Sequence, residues 1–161
     1  MAKQNSSDLG IVTACLGILN SILHIIESIL SQEELPDFYE ENLENIASIL
    51  SFFIGGEADY PQFQKVPEEL TKCRQKAVRL VHMYQFKFNE FFAKYSQYFF
   101  ERVWGMVCNN QVPAIKQNEK LIQAVIRYLN EMSTYSELGE FFKTNMMSLF
   151  SLLILPNISL T

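Results

Sequence analysis

Residues 88–106 read FNEFFAKYSQYFFERVWGM, and they decide the fold class of this chain. Their apolar side chains recur at steps of four, three, four, four and three residues, which is the period of one helix face. The positions are Phe88, Phe92, Tyr95, Phe99, Val103 and Met106. Rings at this spacing favour a helix buried among other helices over a platform on which nucleobases stack. We therefore predict a helix whose aromatic rings form part of the core.

Five further segments carry the same helical period, beginning near residues 9, 37, 67, 115 and 137. The chain has only 6 Gly and 5 Pro, whereas an antiparallel sheet needs frequent turn residues. The predicted core faces of the helices near 67 and 115 are Leu70, Cys73, Ala77, Leu80, Val81 and Tyr84, and Leu121, Ile122, Val125, Tyr128, Leu129 and Met132. The helix near 137 is expected to bury Leu138, Phe141, Phe142, Leu149, Phe150 and Leu153. The sequence therefore predicts an all-α chain.

The helices recur in pairs with a period of roughly 50 residues, close to the ~40–47 residues of helical-pair solenoids. Each pair in such a solenoid buries one face within the pair and another against the next pair. We predict a right-handed α-α superhelix (solenoid) of about three HEAT-like helical hairpins, at about 9–54, 67–109 and 115–155. Gly55-Gly56 is expected to end the second helix in a left-handed conformation, and residues 55–66 to form a mobile loop.

Two segments are more apolar than one partner helix requires, namely residues 11–30 and 149–155. Such faces are typical of helices with a neighbour on each side. We therefore expect the 161 residues to be one HEAT-repeat segment, an interior piece of a longer solenoid.

Residues 9–30 are also long enough to cross a bilayer. A polar stripe runs along this helix, however, and it includes Glu27, whose charge near the middle of a span would cost about 2.5–3.5 kcal/mol. The stripe consists of Thr13, Asn20, His24, Glu27 and Ser31. We expect a water-soluble helix that is buried over most of its circumference, with no membrane as partner. A helical module at a membrane surface is the alternative from a different functional class.

No pattern for catalysis, a cofactor or a metal ion is present in the sequence. His24 and His82 lie in separate helices, and neither shows the spacing of a metal site. Cys15, Cys73 and Cys108 are widely spaced in apolar surroundings and are predicted to serve packing. The sequence thus predicts a binding scaffold and no enzyme. A carboxylate–histidine pair converging in a deep pocket would favour an enzyme instead.

Charge is divided unevenly along the chain. Residues 4–60 hold ten acids and no Lys or Arg, whereas residues 65–161 hold 12 bases and 8 acids. Lys72, Lys76 and Arg79 form a basic stripe at helical spacing, which is predicted to face solvent. A division of this kind is typical of a protein whose partner carries a directional charge. No nucleic-acid partner is predicted.

Several segments resemble the importin-α re-exporter family (exportin-2 or CAS), part of the importin-β superfamily of HEAT-repeat nuclear transport receptors. The resemblance rests first on Leu35-Pro36-Asp37-Phe38-Tyr39-Glu40-Glu41-Asn42, which is similar to the opening of an inner helix in that family. It continues in the aromatic residues from Tyr84 to Trp104, and in Phe141-Phe142 with Ile154-Leu155-Pro156-Asn157-Ile158. The matches occur in family order and cover most of residues 35–158. The resemblance ends near Ile158, before the acidic segment that follows in the family, and the 55–66 loop holds fewer acids than its counterpart.

The resemblance implies a nuclear export receptor that binds importin-α and Ran-GTP and moves between nucleus and cytoplasm. It also implies that the second helix of each hairpin lines a concave surface, so that Asp37, Glu40, Glu41 and Glu44 would face a basic partner. The residues themselves leave a second interpretation open, in which these acids form a solvated helix start that interacts with the helix dipole. Another importin-β-family receptor remains the alternative within the same class.

Overall fold

The computed structural model describes residues 2–55, 63–108 and 118–155, and every regular element in these ranges is helical. The helices are α1 Ala2–Leu30, α2 Asp37–Glu41, α3 Leu43–Ile54, α4 Pro67–Lys87, α5 Asn89–Phe92, α6 Ser96–Cys108, α7 Glu119–Met132 and α8 Gly139–Leu149. Short 3-10 turns cover Phe63–Lys65, Ala93–Tyr95 and Ser136–Leu138, and a π-helical turn at Phe150–Ile154 follows α8. The predicted all-α fold class is confirmed.

The helices stack in two layers, as expected for a solenoid of helical pairs. In layer A, which we define as α1, α4 and α7, the central helix α4 packs against both others. In layer B, which we define as α2–α3, α5–α6 and α8, the central helix α6 packs against α3 and α8. Helix α4 also packs against α3, and α6 against α7, so that the layers interlock.

The core lies between the two layers and contains the faces that the helical period predicted. All twelve residues predicted for the core faces of α4 and α7 are buried. Five of the six apolar positions in residues 88–106 are buried as well, while Tyr95 is half-buried. The ring of Phe92 is stacked between Tyr84 and Phe99, with centroid separations of 5.4 Å on each side. These rings therefore serve packing and offer no free stacking surface.

Two basic side chains of α4 bind the C-terminal ends of the neighbouring helices α1 and α3. Lys87 Nζ donates to the carbonyl oxygen of Leu30 at 2.9 Å and also to that of Gln32, just after α1 ends. Arg74, which is buried, donates from Nε to the carbonyl oxygen of Phe53 in the last turn of α3 at 3.2 Å. The last carbonyl groups of a helix lack intrahelical partners and carry the negative end of its dipole. Helix α4 thus satisfies carbonyl groups at the C-terminal ends of α1 and α3 and offsets the negative charge of their dipoles.

The outer face of α1 differs from the prediction. The helix was expected to be buried over most of its circumference, but only the side facing α4 is buried, through Leu16, Leu23, Ile26, Glu27 and Leu30. A second apolar stripe at steps of four and three residues faces away from the described residues, with Ile18 62% exposed. We call it the isoleucine face, and its members are Ile11, Cys15, Ile18, Ile22 and Ile25. Cys15 is therefore exposed and does not serve packing as predicted.

The second helix, predicted to run without interruption over 37–54, is divided at Asn42. The Asn42 side chain donates to the carbonyl oxygen of Phe38 at 2.9 Å, and its backbone N–H donates to the same oxygen at 3.1 Å. Asparagine competes in this way with regular helix bonding, and the chain turns before α3 begins. Helix α3 ends at Ile54 as predicted, but Gly55 has φ −81°, so the predicted left-handed conformation is wrong for this residue.

The last helix also deviates from its predicted face. Phe142 and Leu153 are buried as predicted, whereas Phe150 is 43% exposed. Phe150 stands where α8 ends and a π-helical turn begins, and its side chain lies outside the buried face that Phe142 and Leu153 share.

Part of the predicted mobile loop at 55–66 lies on residues 56–62, outside the described residues. Its remainder is a packed turn, since Val66 is buried and the Phe63 ring lies 6.0 Å from Phe52. Gly56, the second residue of the predicted helix end, also lies outside the described residues. Helix α4 begins at Pro67, in agreement with the helix predicted to begin near residue 67. The outer boundaries proposed for the three hairpins stay predictions.

The stack around Phe92 predicts a large cost for its truncation. Phe92→Ala should lower the free energy of unfolding by about 3–5 kcal/mol, because it removes a fully buried ring and leaves a cavity. Urea unfolding followed by circular dichroism measures this loss. Phe38→Ala is the matched control, since the Phe38 ring is 64% exposed, and it should change the same free energy by less than about 0.5 kcal/mol. Equal losses in the two variants would contradict the core that we describe.

The contact between α1 and α4 can be tested by thiol chemistry. Burial raises the pKa of the Cys73 thiol from 9.0 to about 11, and the thiol lies 3.5 Å from the carbonyl oxygen of Leu16. In a variant with Cys15→Ser and Cys108→Ser, an aromatic disulfide reagent at neutral pH should therefore reach Cys73 only after unfolding. In a variant with Cys73→Ser and Cys108→Ser, the exposed Cys15 should react in the folded chain. Because the folded pKa is the higher one, this thiol makes folding less favourable as pH rises between 9 and about 11. Rapid labelling of Cys73 in the folded chain would refute the packing of α1 on α4.

Candidate partner-binding surface

The four acids predicted to bind a partner lie where layer B begins. Asp37 and Glu40 are in the first turn of α2, Glu41 ends that helix, and Glu44 is in the first turn of α3. All four are exposed, and the ion pairs found among the described residues involve none of them. First-turn carboxylates interact favourably with the positive end of a helix dipole. The position therefore suits both interpretations, a solvated helix start and a contact surface.

Glu44 differs from the other three acids because it also borders a groove. This groove, which we call the tyrosine groove, has a volume of about 440 Å³ and lies between α3 and the segment that leads into α6. Its lining residues are Glu44, Ala47, Ser48, Ser51, Lys94, Tyr95 and Tyr98. The structure thus brings one predicted site residue to the groove and leaves Asp37, Glu40 and Glu41 outside its lining.

The polar atoms of the tyrosine groove are linked to one another. The hydroxyl groups of Ser51 and Tyr98 are hydrogen-bonded at 2.6 Å, and the guanidinium carbon of Arg102 lies 4.7 Å from the centre of the Tyr98 ring. Lys94 Nζ lies 4.9 Å from the centre of the Tyr95 ring. Tyr and Arg side chains are enriched at protein-contact surfaces, where the Tyr ring supplies apolar area and its hydroxyl group finds a hydrogen-bond partner.

Sequence reasoning missed two residues of this surface. Phe38 is 64% exposed beside the acids, with its ring edge-on to Tyr39 at 5.6 Å. Tyr98 is exposed and forms one wall of the groove. Both fall off the apolar period of their helices, in which Leu35, Tyr39 and Leu43 form the inner face of α2–α3. The signal that the sequence offered was a large aromatic residue outside the apolar period of its helix. A ring that is buried in the core normally follows that period.

Histidine–carboxylate pairs occur in the structure, although the sequence showed no ligand spacing. His24 Nδ1 lies 3.6 Å from Glu27 Oε2, and His82 Nε2 lies 3.1 Å from Glu131 Oε1. The second pair bridges α4 and α7 beside an open groove, and it does not converge in a deep pocket. Among the described residues, no group of three His, Cys, Asp or Glu side chains could hold a metal ion.

The basic stripe of α4 is only partly a solvated face. Lys72 pairs with Glu68 on the same helix at 2.8 Å, which lowers the pKa of Glu68 and raises that of Lys72. Arg79 instead reaches across to α1, where its Nη2 lies 2.5 Å from Glu27 Oε1 in an ion pair without hydrogen-bond geometry. Arg79 is exposed as predicted, and its guanidinium group pairs in addition with Glu27 of α1.

A family model described as Cse1 matches residues 1–161, the whole length of the chain. The chain belongs to the Cse1 family. Exportin-2 from Dictyostelium discoideum is similar to it, with 23% identity over 164 residues. The aligned region covers 98% of this Cse1 chain and 16% of Exportin-2, so the chain spans about one sixth of the length of that curated relative. No solved structure gave a significant match.

These comparisons confirm the family that the residues of this Cse1 chain resemble. The two-layer helical stack agrees with the solenoid expected of that family. The role of Asp37, Glu40, Glu41 and Glu44 stays a prediction, because neither the fold nor the family assignment tests individual contact residues.

Proposed function

We propose that the chain is a protein-binding segment of a nuclear export receptor, which carries importin-α out of the nucleus together with Ran-GTP. In this role it contacts protein partners, performs no chemistry and needs no cofactor, and the receptor shuttles between nucleus and cytoplasm. The observation that carries the proposal is the Cse1 match over residues 1–161, which the similarity to Exportin-2 supports. Another receptor of the importin-β superfamily is the alternative in the same class.

The surface of layer B supports the binding part of this proposal. Exposed carboxylates at the start of α2–α3, the exposed Phe38 ring and the tyrosine groove lie on consecutive elements of one layer. Charged groups at the edge of a contact mainly steer and select a partner, whereas exposed aromatic rings supply area that becomes buried on binding. A basic protein segment fits the acids, and its apolar side chains fit the rings.

The isoleucine face of α1 supports the view that the chain is part of a longer solenoid. Ile11, Ile18 and Ile25 are each about 60% exposed, and no described residue covers them. A continuous apolar stripe of this kind is costly in water and is typical of a contact with another helix. We propose that a neighbouring helical pair of the receptor covers it, as α4 covers the opposite side.

One observation favours a function from a different class, a module that binds membrane surfaces. Residues Leu9–Leu30 contain an 18-residue window with a mean hydropathy of 2.1 and are long and apolar enough to cross a bilayer, judged by length and composition alone. Against this, Glu27 is buried in an ion pair with Arg79, and the inner side of the helix packs on α4. We therefore prefer a protein neighbour for the isoleucine face.

Reversing the charge of two exposed acids tests the partner-binding role. Glu40→Lys with Glu44→Lys, introduced into the receptor that contains this segment, should weaken capture of importin-α with Ran-GTP by about three- to tenfold at low salt. The effect should shrink as salt rises, because exposed charges are screened. Affinity measured by fluorescence anisotropy at two salt concentrations gives the result, and circular dichroism checks that helicity is unchanged.

The control changes the same charge on layer A. Glu68→Lys with Glu119→Lys replaces two exposed first-turn carboxylates, at the starts of α4 and α7. This variant should capture the partners with unchanged affinity. Unaltered affinity of the Glu40 and Glu44 variant at low salt would count against the proposed contact, and equal weakening in both variants would indicate a general charge effect.

The membrane alternative is tested with vesicles. The folded chain should stay in the supernatant when it is sedimented with vesicles containing anionic lipid at about 150 mM salt. A variant with Ile18→Ser and Ile22→Ser, which interrupts the isoleucine face, provides the comparison. Co-sedimentation of the folded chain that this variant abolishes would overturn the proposal of a protein neighbour.

A further inference from the structure

A second groove lies on layer A, away from the acids of layer B. It runs between α1, α4 and α7, has a volume of about 620 Å³ and is open to solvent. We call it the basic groove, since its lining contains three bases, Arg79, Lys120 and Arg127, and one acid, Glu27. The amide side chains of Gln75 and Gln123 add neutral hydrogen-bonding groups to the same walls.

Some charged side chains of the basic groove have an ion-pair partner, and others have none among the described residues. Glu27 is committed to Arg79, which retains further N–H donors because a guanidinium group has five. Lys120 and Arg127 are exposed, and the ion pairs found among the described residues include neither of them. His82 borders the groove, and its Nε2 faces Glu131 at 3.1 Å. The groove thus keeps two cations without a counter-charge among the described residues.

The spacing of these two cations defines the ligand that they fit. Lys120 and Arg127 are seven residues apart on α7, so their Cα atoms are separated by about 10.5 Å along the helix axis. One small anion cannot contact both side chains while they extend in parallel. A polyproline II segment has three residues per turn and rises about 3.1 Å per residue, so every third side chain lies on the same side. Two carboxylates three residues apart in such a segment are separated by about 9.3 Å, which is close to this spacing.

We propose that the basic groove binds an acidic segment of a partner protein in the polyproline II conformation, with carboxylates at every third residue. One carboxylate lies on Lys120 and the next on Arg127, while Arg79 and Gln123 donate hydrogen bonds to the intervening peptide. A short segment fits better than a long polyanion, because the chain has a net charge of −5 and screening over about 8 Å leaves only nearby charges to act. This proposal concerns layer A and does not depend on the receptor role proposed for layer B.

The test uses a fluorescent peptide with Glu at every third position and Gly-Pro between, titrated with the 161-residue chain at low salt. Lys120→Glu with Arg127→Glu should weaken its binding about tenfold or more, because two attractions become repulsions. The charge-matched control is Lys72→Glu with Lys143→Glu, whose side chains are exposed and outside the groove. The control should change the affinity less than about twofold. Circular dichroism establishes that both variants stay folded.

Two further titrations separate this ligand from others. The same peptide with Gln in place of Glu should not bind. Inorganic phosphate and chloride, each added at the same ionic strength, should displace the Glu peptide to the same extent. The proposal is overturned if the Gln peptide binds equally well, if both double variants lose affinity equally, or if phosphate displaces the peptide specifically. The last result would identify a site for a small anion instead of a peptide.

Discussion

The stack depends on α4, which must provide hydrogen-bond donors for backbone carbonyl groups of its neighbours α1 and α3 as well as form its own helical hydrogen bonds. Its Lys87 and Arg74 bind carbonyl groups at the C-terminal ends of α1 and α3, which those helices cannot satisfy internally. A charge-assisted hydrogen bond contributes about 1.5–3 kcal/mol, and loss of a buried donor leaves an unsatisfied carbonyl group. Because both ends are held by one helix, the positions of α1 and α3 relative to α4 are coupled.

The position of each helix in the stack determines which of its surfaces are free. Helix α4 is covered by α1, α3 and α7, so its apolar faces are all used. Helix α1 has only α4 as a major neighbour among the described residues, and its isoleucine face stays open. The difference is positional, because both helices carry apolar residues around much of their circumference but only the central one is enclosed. A solenoid produces this asymmetry wherever a helix has a neighbour on one side alone.

The sequence predicted the helices and most of the core because burial imposes a period that side chains must follow. Leu70, Cys73 and Tyr84 were identified from spacing alone, and all three are buried. The tyrosine groove could not be predicted in this way, since it forms between α3 and residues that are about fifty positions later. The break at Asn42 and the π-helical turn at Phe150 were also missed, because each depends on local hydrogen bonds that leave the apolar period unchanged.

The two candidate surfaces differ in charge and lie on different layers of the stack. The acids at the start of α2–α3 lie on layer B, whereas Lys120 and Arg127 lie on layer A, with a core of packed helices between the layers. In the contacts that we propose, charge decides which segment suits which surface, because like charges brought together at a contact are costly. A basic segment that suits the acids of layer B is repelled by Lys120 and Arg127, and an acidic segment that suits these two bases is repelled by the acids. One partner segment therefore cannot suit both surfaces.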